Sequence, residues 1–398
     1  MNEAKRAGMT DANSRFRSRS FIAPLVLLAA YFFYSQEETK SVKISSENRN
    51  SNSFVHFSTT KERNSSLVLP SLPPFSHLIA GCDIRSDVSW LLDFAVVGMA
   101  KSGTTFLMEY LGETDEIYIK QKEMCGLSSN KTTSVVWHFY QHLENKASGQ
   151  KFDLTFDGRR VKTGLKCPKD IGTEDGLRNY AKFFPKTKLI VTLRHPVLWF
   201  QSFYNYRSYK GSKLPPPKDL IGSCIEGSPY ICAQHCGKHR TENVCTDRAK
   251  VHHQLSRLGK TPMTTKDEMK LLRHDMDIIP SDAQIFLSEL EQFSTGNDKG
   301  DHFGEDLSNF LGLNRPLPPL GQVGGQKRSY HIKERRSGFI DICSDEHKDV
   351  RTILVKIGKE SATWIREYFL KSPDVFVSSE KIFLELIERW GQDPCATV

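Results

Sequence analysis

The stretch FAVVGMAKSGTTFLMEYL, from Phe94 to Leu111, decides the fold of this chain. Its first half is a continuous apolar run typical of a buried strand, and its second half has the apolar spacing of a helix. The turn between them is rich in glycine and hydroxyl groups. A turn of this kind, opening onto a helix N-terminus, presents backbone N–H groups to an anion. The stretch therefore predicts a phosphate or sulfate site, with ordinary turn chemistry as the alternative.

Five residues of this turn have distinct roles in the predicted site. Gly98 ends the strand, and Gly103 lets the backbone come close to the anion. Thr104 and Thr105 offer hydroxyl and amide donors at the start of the helix, while Lys101 supplies a mobile positive charge. These residue types in this order predict a cradle for an anionic group.

A nucleotide triphosphatase loop is the obvious competitor, and its pattern does not match. That pattern places a lysine directly after its last glycine, whereas Lys101 precedes Gly103 by two residues. The later apolar strand KLIVTL is followed by Arg194 rather than by the aspartate that would hold magnesium. The sequence therefore favours an anion met by protein cations and amides, and we expect no metal.

Downstream of this turn, short strand-like runs alternate with helical ones. This alternation predicts a three-layer α/β/α domain around a mainly parallel central sheet. The predicted strands are LLDFAVVGM, EIYIK, KLIVTLRHP and the start of AQIFLSELEQF; the predicted helices are GTTFLMEYL, RNYAKFFP, VLWFQSFYNYRSY, GEDLSNFLGL, DEHKDVRTILVKIGKESATWIREYF and SEKIFLELIERW.

The composition suits one large or two moderate globular domains. The chain has 398 residues, 38% of them hydrophobic, and a formal net charge of +8. The basic residues are spread along the chain rather than gathered in one block, so we expect no nucleic-acid partner.

The N-terminal region predicts a membrane anchor followed by a stem. A basic segment, residues 1–20, precedes an uncharged run from Phe21 to Tyr34 that ends in aromatic residues typical of a membrane interface. A cleaved signal peptide is the alternative, because the run is short for a spanning helix. We expect a cytoplasmic tail at 1–20, a signal-anchor helix at 21–35, a disordered lumenal stem at 36–89 and a catalytic domain at 90–398 with a cysteine-rich insertion at about 211–280.

The cysteines and two glycosylation patterns agree with a lumenal body. Asn64 and Asn130 each begin an Asn-x-Ser/Thr tripeptide. Four of the nine cysteines, Cys224, Cys232, Cys236 and Cys245, crowd into the insertion, where two local disulfides are favoured over a zinc site built with His235 and His239. The spacing gives no partner for Cys82, Cys125, Cys167, Cys343 and Cys395.

The anion loop and the later segment LRHPVLWFQSFYNYR together resemble the two nucleotide-binding elements of the sulfotransferases, enzymes that use 3′-phosphoadenosine 5′-phosphosulfate (PAPS). The resemblance implies that the loop holds the 5′-phosphosulfate. It also implies that Arg194 and Ser202, eight residues apart, bind the 3′-phosphate. An arginine at a strand end and a serine two turns into the next helix can converge on one phosphate.

The resemblance is strongest to the Golgi carbohydrate sulfotransferases of the heparan sulfate and GalNAc 4-sulfate 6-O types, and it covers most of residues 90–395 outside the insertion. It implies a P-loop-like sulfotransferase fold with Glu123 of IKQKEMCG as catalytic base and Lys166 of LKCP beside the leaving phosphate. The alternatives are an exposed loop carboxylate for Glu123 and a surface lysine beside a proline turn for Lys166. Lys327 and Arg328, in a basic Gly-rich segment, are implied nucleotide contacts, with an acidic acceptor or plain solvation as alternatives.

The resemblance thus implies a single-pass type II Golgi membrane enzyme that sulfates a hydroxyl or amine of a glycan. The implied catalytic residues are Glu123, Lys101 and Lys166; the implied cofactor-binding residues are Lys101, Ser102, Gly103, Thr104, Thr105, Arg194, Ser202, Lys327 and Arg328. Two other functions stay open at this point, a noncatalytic lumenal glycan-binding protein and a nucleotide-dependent phosphotransferase.

Overall fold

The computed structural model describes the following residues of the compact unit Ser66–Val398: 72–81, 83–129, 131–147, 155–156, 159–221, 244–260, 282–293, 302–320 and 339–396. The predicted tail, anchor and most of the stem lie outside these ranges, as do Asn64, Asn130, Lys327, Arg328 and three cysteines of the insertion. Within the ranges given, no helix is long and apolar enough to cross a membrane.

A six-stranded sheet forms the centre of the domain, and all its strand pairings are parallel. Its strands are β1 (Phe94–Val96), β2 (Ile117–Ile119), β3 (Lys162–Lys166), β4 (Lys188–Leu193), β5 (Ile285–Glu289) and β6 (Val375–Val377). The order across the sheet is β6-β5-β4-β1-β3-β2. The strand β1 therefore lies between β4 and β3, and the loop that follows it opens at the middle of the carboxyl edge.

Helices cover both faces of this sheet. They are α1 (Thr104–Leu111), α2 (Thr132–Ala147), α3 (Glu174–Phe183), α4 (Pro196–Tyr209), α5 (Val251–Ser256), α6 (Phe303–Leu311), α7 (Lys348–Glu367) and α8 (Glu380–Glu388). Several 3₁₀ turns and short pieces also belong to the described fold, among them a helical turn at Phe75–Leu78 and the strand pairs Ile79–Ala80 with Asp83–Ile84 and Thr155–Phe156 with Arg159–Arg160.

Alternate side chains of the strands enter two separate apolar cores. On one face Ala95 and Val191 pack with α2, α3, α7 and α8, and on the other face Val96 and Ile190 pack with α1 and α6. This arrangement is what strands buried on both faces require. The prediction of a three-layer α/β domain with a mainly parallel sheet is confirmed.

Described parts of the predicted insertion are ordered against the domain. Leu220, Val244 and Ala249 share a third apolar cluster with residues of α4 and α7. Cys245 of the four clustered cysteines is disulfide-bonded.

Four of the labelled elements were not predicted from the sequence: α2, α5, β3 and β6. The strand β3 reads KTGLK, with a single large apolar residue, yet it is buried between β1 and β2. The alternative that made Lys166 a surface lysine is wrong, because its side chain is only 4% exposed at the end of this strand.

Two disulfides join cysteines for which the spacing gave no partner. Cys125 bonds Cys167, and Cys343 bonds Cys395. Each pair is far apart in sequence, so the fold and not the local spacing brings its sulfurs together.

A buried carboxyl group lies just beyond β3. The Asp170 side chain is fully buried, and the Tyr180 hydroxyl donates a hydrogen bond of 3.0 Å to its Oδ2. Burial raises the pKa of Asp170 to about 7, and hydrogen bonds from the Ser128 and Tyr180 hydroxyls only partly oppose that shift. The folded protein therefore keeps a proton on Asp170 over a pH range in which the unfolded chain has lost it.

The retained proton on Asp170 predicts how the stability of the protein depends on pH. As pH rises from about 4 to about 7, the wild-type free energy of unfolding should fall by up to about 1.4 kcal/mol per pH unit through this group, and Asp170→Asn should remove that slope. Urea unfolding at several pH values in this window measures it. Asp175→Asn, at an exposed aspartate at the start of α3, is the matched control and should run parallel to the wild type. Parallel profiles for Asp170→Asn would contradict the prediction.

Candidate active site

The predicted anion loop lies at the carboxyl edge of the sheet and is hydrogen-bonded to the neighbouring strand. The amides of Val97 and Met99 donate to the carbonyls of Ile190 and Thr192 at 3.0 Å and 2.9 Å. The loop therefore continues the pairing of β1 with β4 before it turns. At the turn Lys101 and Gly103 have left-handed backbones, with φ of 69° and 81°.

Gly103 is needed for two reasons. Its φ lies in the region that other residues rarely adopt. A Cβ atom at this position would also lie 2.5 Å from Leu290 Cδ1 and 3.0 Å from Phe293 Cε2, both in the 3₁₀ turn Leu290–Phe293 that follows β5. The glycine thus lets the anion loop pack directly against the end of a third strand.

The hydroxyl groups of the loop occupy different environments. Ser102 is fully buried, and its hydroxyl has no hydrogen-bond partner among the described residues. The exposed Thr105 accepts a hydrogen bond of 2.9 Å from Lys166 Nζ through its Oγ1. Both residues stand at the N-terminus of α1, where the first N–H groups of a helix have no intrahelical partner. This end of α1 can donate several hydrogen bonds to one anion.

Lys166 links the loop to the predicted catalytic base. Its buried Nζ bonds Thr105 on one side and lies 3.1 Å from Glu123 Oε1 on the other. The Glu123 side chain is 53% exposed, so it faces solvent at the end opposite to its lysine contact. The structure therefore brings together Thr105, Lys166 and Glu123, which are separated by up to 61 positions in the chain.

Lys101 completes a group of crowded cations. Burial lowers the pKa of Lys101, and the nearby charges of Arg194 and Lys166 lower it further. Its Nζ lies 4.5 Å from the centre of the Tyr206 ring on α4. The positive charges of Lys101, Arg194 and Lys166 repel one another, which raises the energy of the site. A bound anion would relieve that repulsion.

Arg194 follows β4 directly and holds the loop from the other side. Its Nη1 donates a hydrogen bond of 3.2 Å to the carbonyl oxygen of Lys101, whereas its buried Nε has no partner among the described residues. Burial lowers the pKa of this arginine, and the charges of Glu289 and Glu291 oppose that shift. Arg194 keeps donors available for an additional acceptor.

Ser202 lies in the middle of α4, which begins at Pro196 after the His195 ring accepts a hydrogen bond of 3.2 Å from the Val197 amide. Ser202 is half-buried, and its hydroxyl has no hydrogen bond to any residue in the described ranges. Its role toward the 3′-phosphate stays a prediction. Lys327 and Arg328 lie outside the described residues.

Glu289, Tyr206 and the Cys125–Cys167 disulfide belong to this region, and sequence reasoning missed all three. Glu289 ends β5 in register with Leu193, and burial raises its pKa to about 7. In the sequence, the position of Glu289 at the end of an apolar run was the feature that could have indicated it. The described residues contain no group of three or more His, Cys, Asp or Glu side chains arranged to hold a metal ion.

Comparisons with known proteins find likenesses among solved structures. No protein-family model and no curated protein matches the chain. Among solved structures, the chain is similar to a sulfotransferase from Alicyclobacillus acidocaldarius, with a TM-score of 0.40 and 16% identity over 69% of this chain and 96% of that one. A likeness this loose assigns no function, so the function has to be argued from the site itself.

The packing of Gly103 predicts a specific loss of stability. Gly103→Ala should lower the free energy of unfolding by about 1–2 kcal/mol for its left-handed backbone and by about 1–3 kcal/mol more for crowding against Leu290 and Phe293. Gly211→Ala is the matched control, because Gly211 has a φ of 80° and none of the described residues lies within 4 Å of the added Cβ. Urea unfolding of both variants gives the crowding contribution as a difference. Equal losses would show that Gly103 has space for a side chain.

Proposed function

We propose that this protein transfers a sulfuryl group from PAPS to a hydroxyl, or an amine, of a glycan. The observation that carries the proposal is the chain of contacts from Thr105 through the buried Lys166 Nζ to the exposed Glu123 carboxylate. It joins an anion-binding helix N-terminus to a solvent-facing base, and a group-transfer enzyme needs both. The acceptor class comes from the sequence resemblance alone.

The loop residues fit the phosphosulfate of such a donor. The helix N-terminus, the hydroxyl of Ser102, which no described residue bonds, and the ammonium groups of Lys101 and Lys166 offer donors and positive charge on one side of the site. Arg194, whose Nε has no partner in the described part of the chain, and Ser202 are available for the 3′-phosphate. When bound, PAPS supplies the activated sulfuryl group.

The site residues have two separate roles, stabilising negative charge and accepting a proton. Lys166 and Lys101 stabilise the negative charge that grows on the leaving phosphate, which is a large contribution in a loose in-line transfer. Glu123 accepts the proton of the acceptor hydroxyl through its exposed carboxylate. That carboxylate lies 3.1 Å from Lys166 Nζ, beside the group that binds the phosphate.

We propose a lumenal location, with the body anchored to the Golgi membrane by the basic and apolar N-terminal segments. The Cys125–Cys167 and Cys343–Cys395 disulfides, together with a further disulfide at Cys245, support an oxidising compartment. The glycan would be the partner there, and the membrane would be contacted only through the anchor.

The two alternative functions explain less of this site. A noncatalytic glycan-binding protein has no use for a buried lysine that links an anion loop to an exposed carboxylate. A phosphotransferase with magnesium lacks the expected aspartate, because Arg194 follows β4. Both alternatives remain as distinct outcomes of the binding experiment.

Nucleotide binding is the first test. Calorimetric titration of the protein with 3′-phosphoadenosine 5′-phosphate should show metal-independent binding, and Arg194→Ala should weaken it by about tenfold to a hundredfold because charge-assisted hydrogen bonds are lost. Arg178→Ala, at an exposed arginine of α3 in an ion pair with Glu174, is the matched control and should bind normally. Binding of ATP only with magnesium would favour the phosphotransferase. No nucleotide binding by the folded protein would favour the glycan-binding alternative.

The base assignment has its own test. Glu123→Gln should lower kcat by about a hundredfold to ten-thousandfold, because the acceptor proton loses its receiver, with little change in nucleotide affinity. Radiolabelled PAPS, with desulfated heparin and chondroitin as acceptors, measures kcat. Glu113→Gln, the same change at an exposed position after α1, is the control. Equal losses of kcat and nucleotide affinity for Glu123→Gln would assign Glu123 a structural role.

A further inference from the structure

We infer that the Cys125–Cys167 disulfide is a positioning element that holds Glu123 against Lys166. The inference rests on the proposed function and deepens it. Cys125 follows Glu123 by two residues, and Cys167 follows Lys166 directly, with their Cα atoms 5.1 Å apart. The disulfide thus crosslinks the two chain segments that carry the base and the phosphate-binding lysine.

Lys166 is the fixed member of this pair. It ends β3, its side chain is 4% exposed, and its Nζ bonds Thr105 at the start of α1. The position of its ammonium group is therefore set by the sheet and by the anion loop. The Glu123 segment is not required to hold the Lys166 ammonium group there.

Glu123 is the member that needs support. It lies between β2 and the 3₁₀ turn Leu127–Ser129, in a stretch without regular secondary structure. Its side chain is 53% exposed, and an ion pair of such an exposed group contributes little to holding a segment in place. The contact with Lys166 is the result of the segment's position and not its cause.

The segment that carries Glu123 is attached at one end to β3 and at the other end to the residue that follows β3. At the first end Ile119 of β2 pairs with Gly164 of β3. At the other end Cys125 is bonded to Cys167. Residues 120–124 therefore form a short arch whose two attachments flank Lys166 in sequence, and Glu123 lies within it.

Among the described residues, Met124, next to Glu123, makes one backbone hydrogen bond and packs its side chain against the apolar core. The Met124 amide donates to the Lys166 carbonyl at 3.0 Å. Further along, Ser129 Oγ donates to the Cys125 carbonyl at 2.6 Å, and Asn179 Nδ2 donates to the Leu127 carbonyl at 2.8 Å. These bonds order the chain after Cys125. Without the disulfide, we expect the arch to open from the Glu123 side.

The chain contains a control for simple stabilisation. The Cys343–Cys395 disulfide closes a loop of 52 residues, and Cys125–Cys167 closes one of 42. Because loop-closure entropy varies only with the logarithm of loop length, the two crosslinks restrict the unfolded chain to nearly the same degree. If removal of the two disulfides has different effects on local order or on turnover, the difference therefore comes from where each disulfide lies and not from chain entropy.

The experiment compares Cys125→Ala/Cys167→Ala with Cys343→Ala/Cys395→Ala in the full chain. Hydrogen exchange of the amides of residues 120–126 should become faster in the first variant and stay unchanged in the second. With radiolabelled PAPS and the desulfated heparin or chondroitin acceptor, kcat should fall about tenfold to a hundredfold in the first variant only, since small misplacements have costs of this size. Affinity for 3′-phosphoadenosine 5′-phosphate should change little in the first variant, because Lys166 stays in place.

A double-mutant comparison separates positioning from folding. Glu123→Gln should reduce kcat by a clearly smaller factor in Cys125→Ala/Cys167→Ala than it does when the disulfide is present, because the base is already partly displaced there. Additive losses would overturn the inference. Cys125→Ala/Cys167→Val refills the buried volume at Cys167 and replaces the first variant if that chain does not fold.

The two proposals fail in different ways. If the wild-type chain neither binds the nucleotide nor sulfates either acceptor, the proposed function falls. If the wild-type chain turns over and Cys125→Ala/Cys167→Ala matches it in kcat and in the exchange of residues 120–126, the positioning inference falls and the proposed function stands.

Discussion

The rest of the site depends on one buried ammonium group, that of Lys166. A charge removed from water needs partners, and this one has the Thr105 hydroxyl and the Glu123 carboxylate, with little solvent beside them. These contacts connect three distant segments at the end of β3. In the same arrangement the Glu123 carboxylate faces solvent, and the Lys166 ammonium group beside it faces the anion loop.

The parallel sheet explains why these groups meet at all. In a parallel sheet every strand ends at the same edge, so Lys166 at the end of β3, Arg194 after β4 and Glu289 at the end of β5 are near neighbours of the loop after β1. Burial lowers the pKa of Lys101, and the nearby charges of Arg194 and Lys166 lower it further. The edge therefore carries excess positive charge in front of the helix N-terminus, which is a suitable environment for an anionic ligand.

The sequence predicted the parts of the fold whose apolar pattern is strong, such as β1, α1, β4 and α4, and the position of the anion loop. It could not predict β3, because Gly164 is needed there for the ring of Phe94 on β1, and that contact exists only in the folded sheet. The same reason applies to the Lys166–Glu123 pair and to both long-range disulfides, because their partners meet only in the folded domain. Arg194 was placed correctly at a strand end, whereas Glu289 had only its own position after an apolar run to indicate it.

The packing of Gly103 has a consequence for the thermodynamics of binding. The anion loop is hydrogen-bonded to β4 on one side and packed against Leu290 and Phe293 on the other, so its backbone has little freedom before any ligand arrives. The conformational entropy of this loop is then lost during folding and not during association. A ligand held by these amides meets a site that is already ordered, and its affinity is not reduced by the cost of ordering the loop.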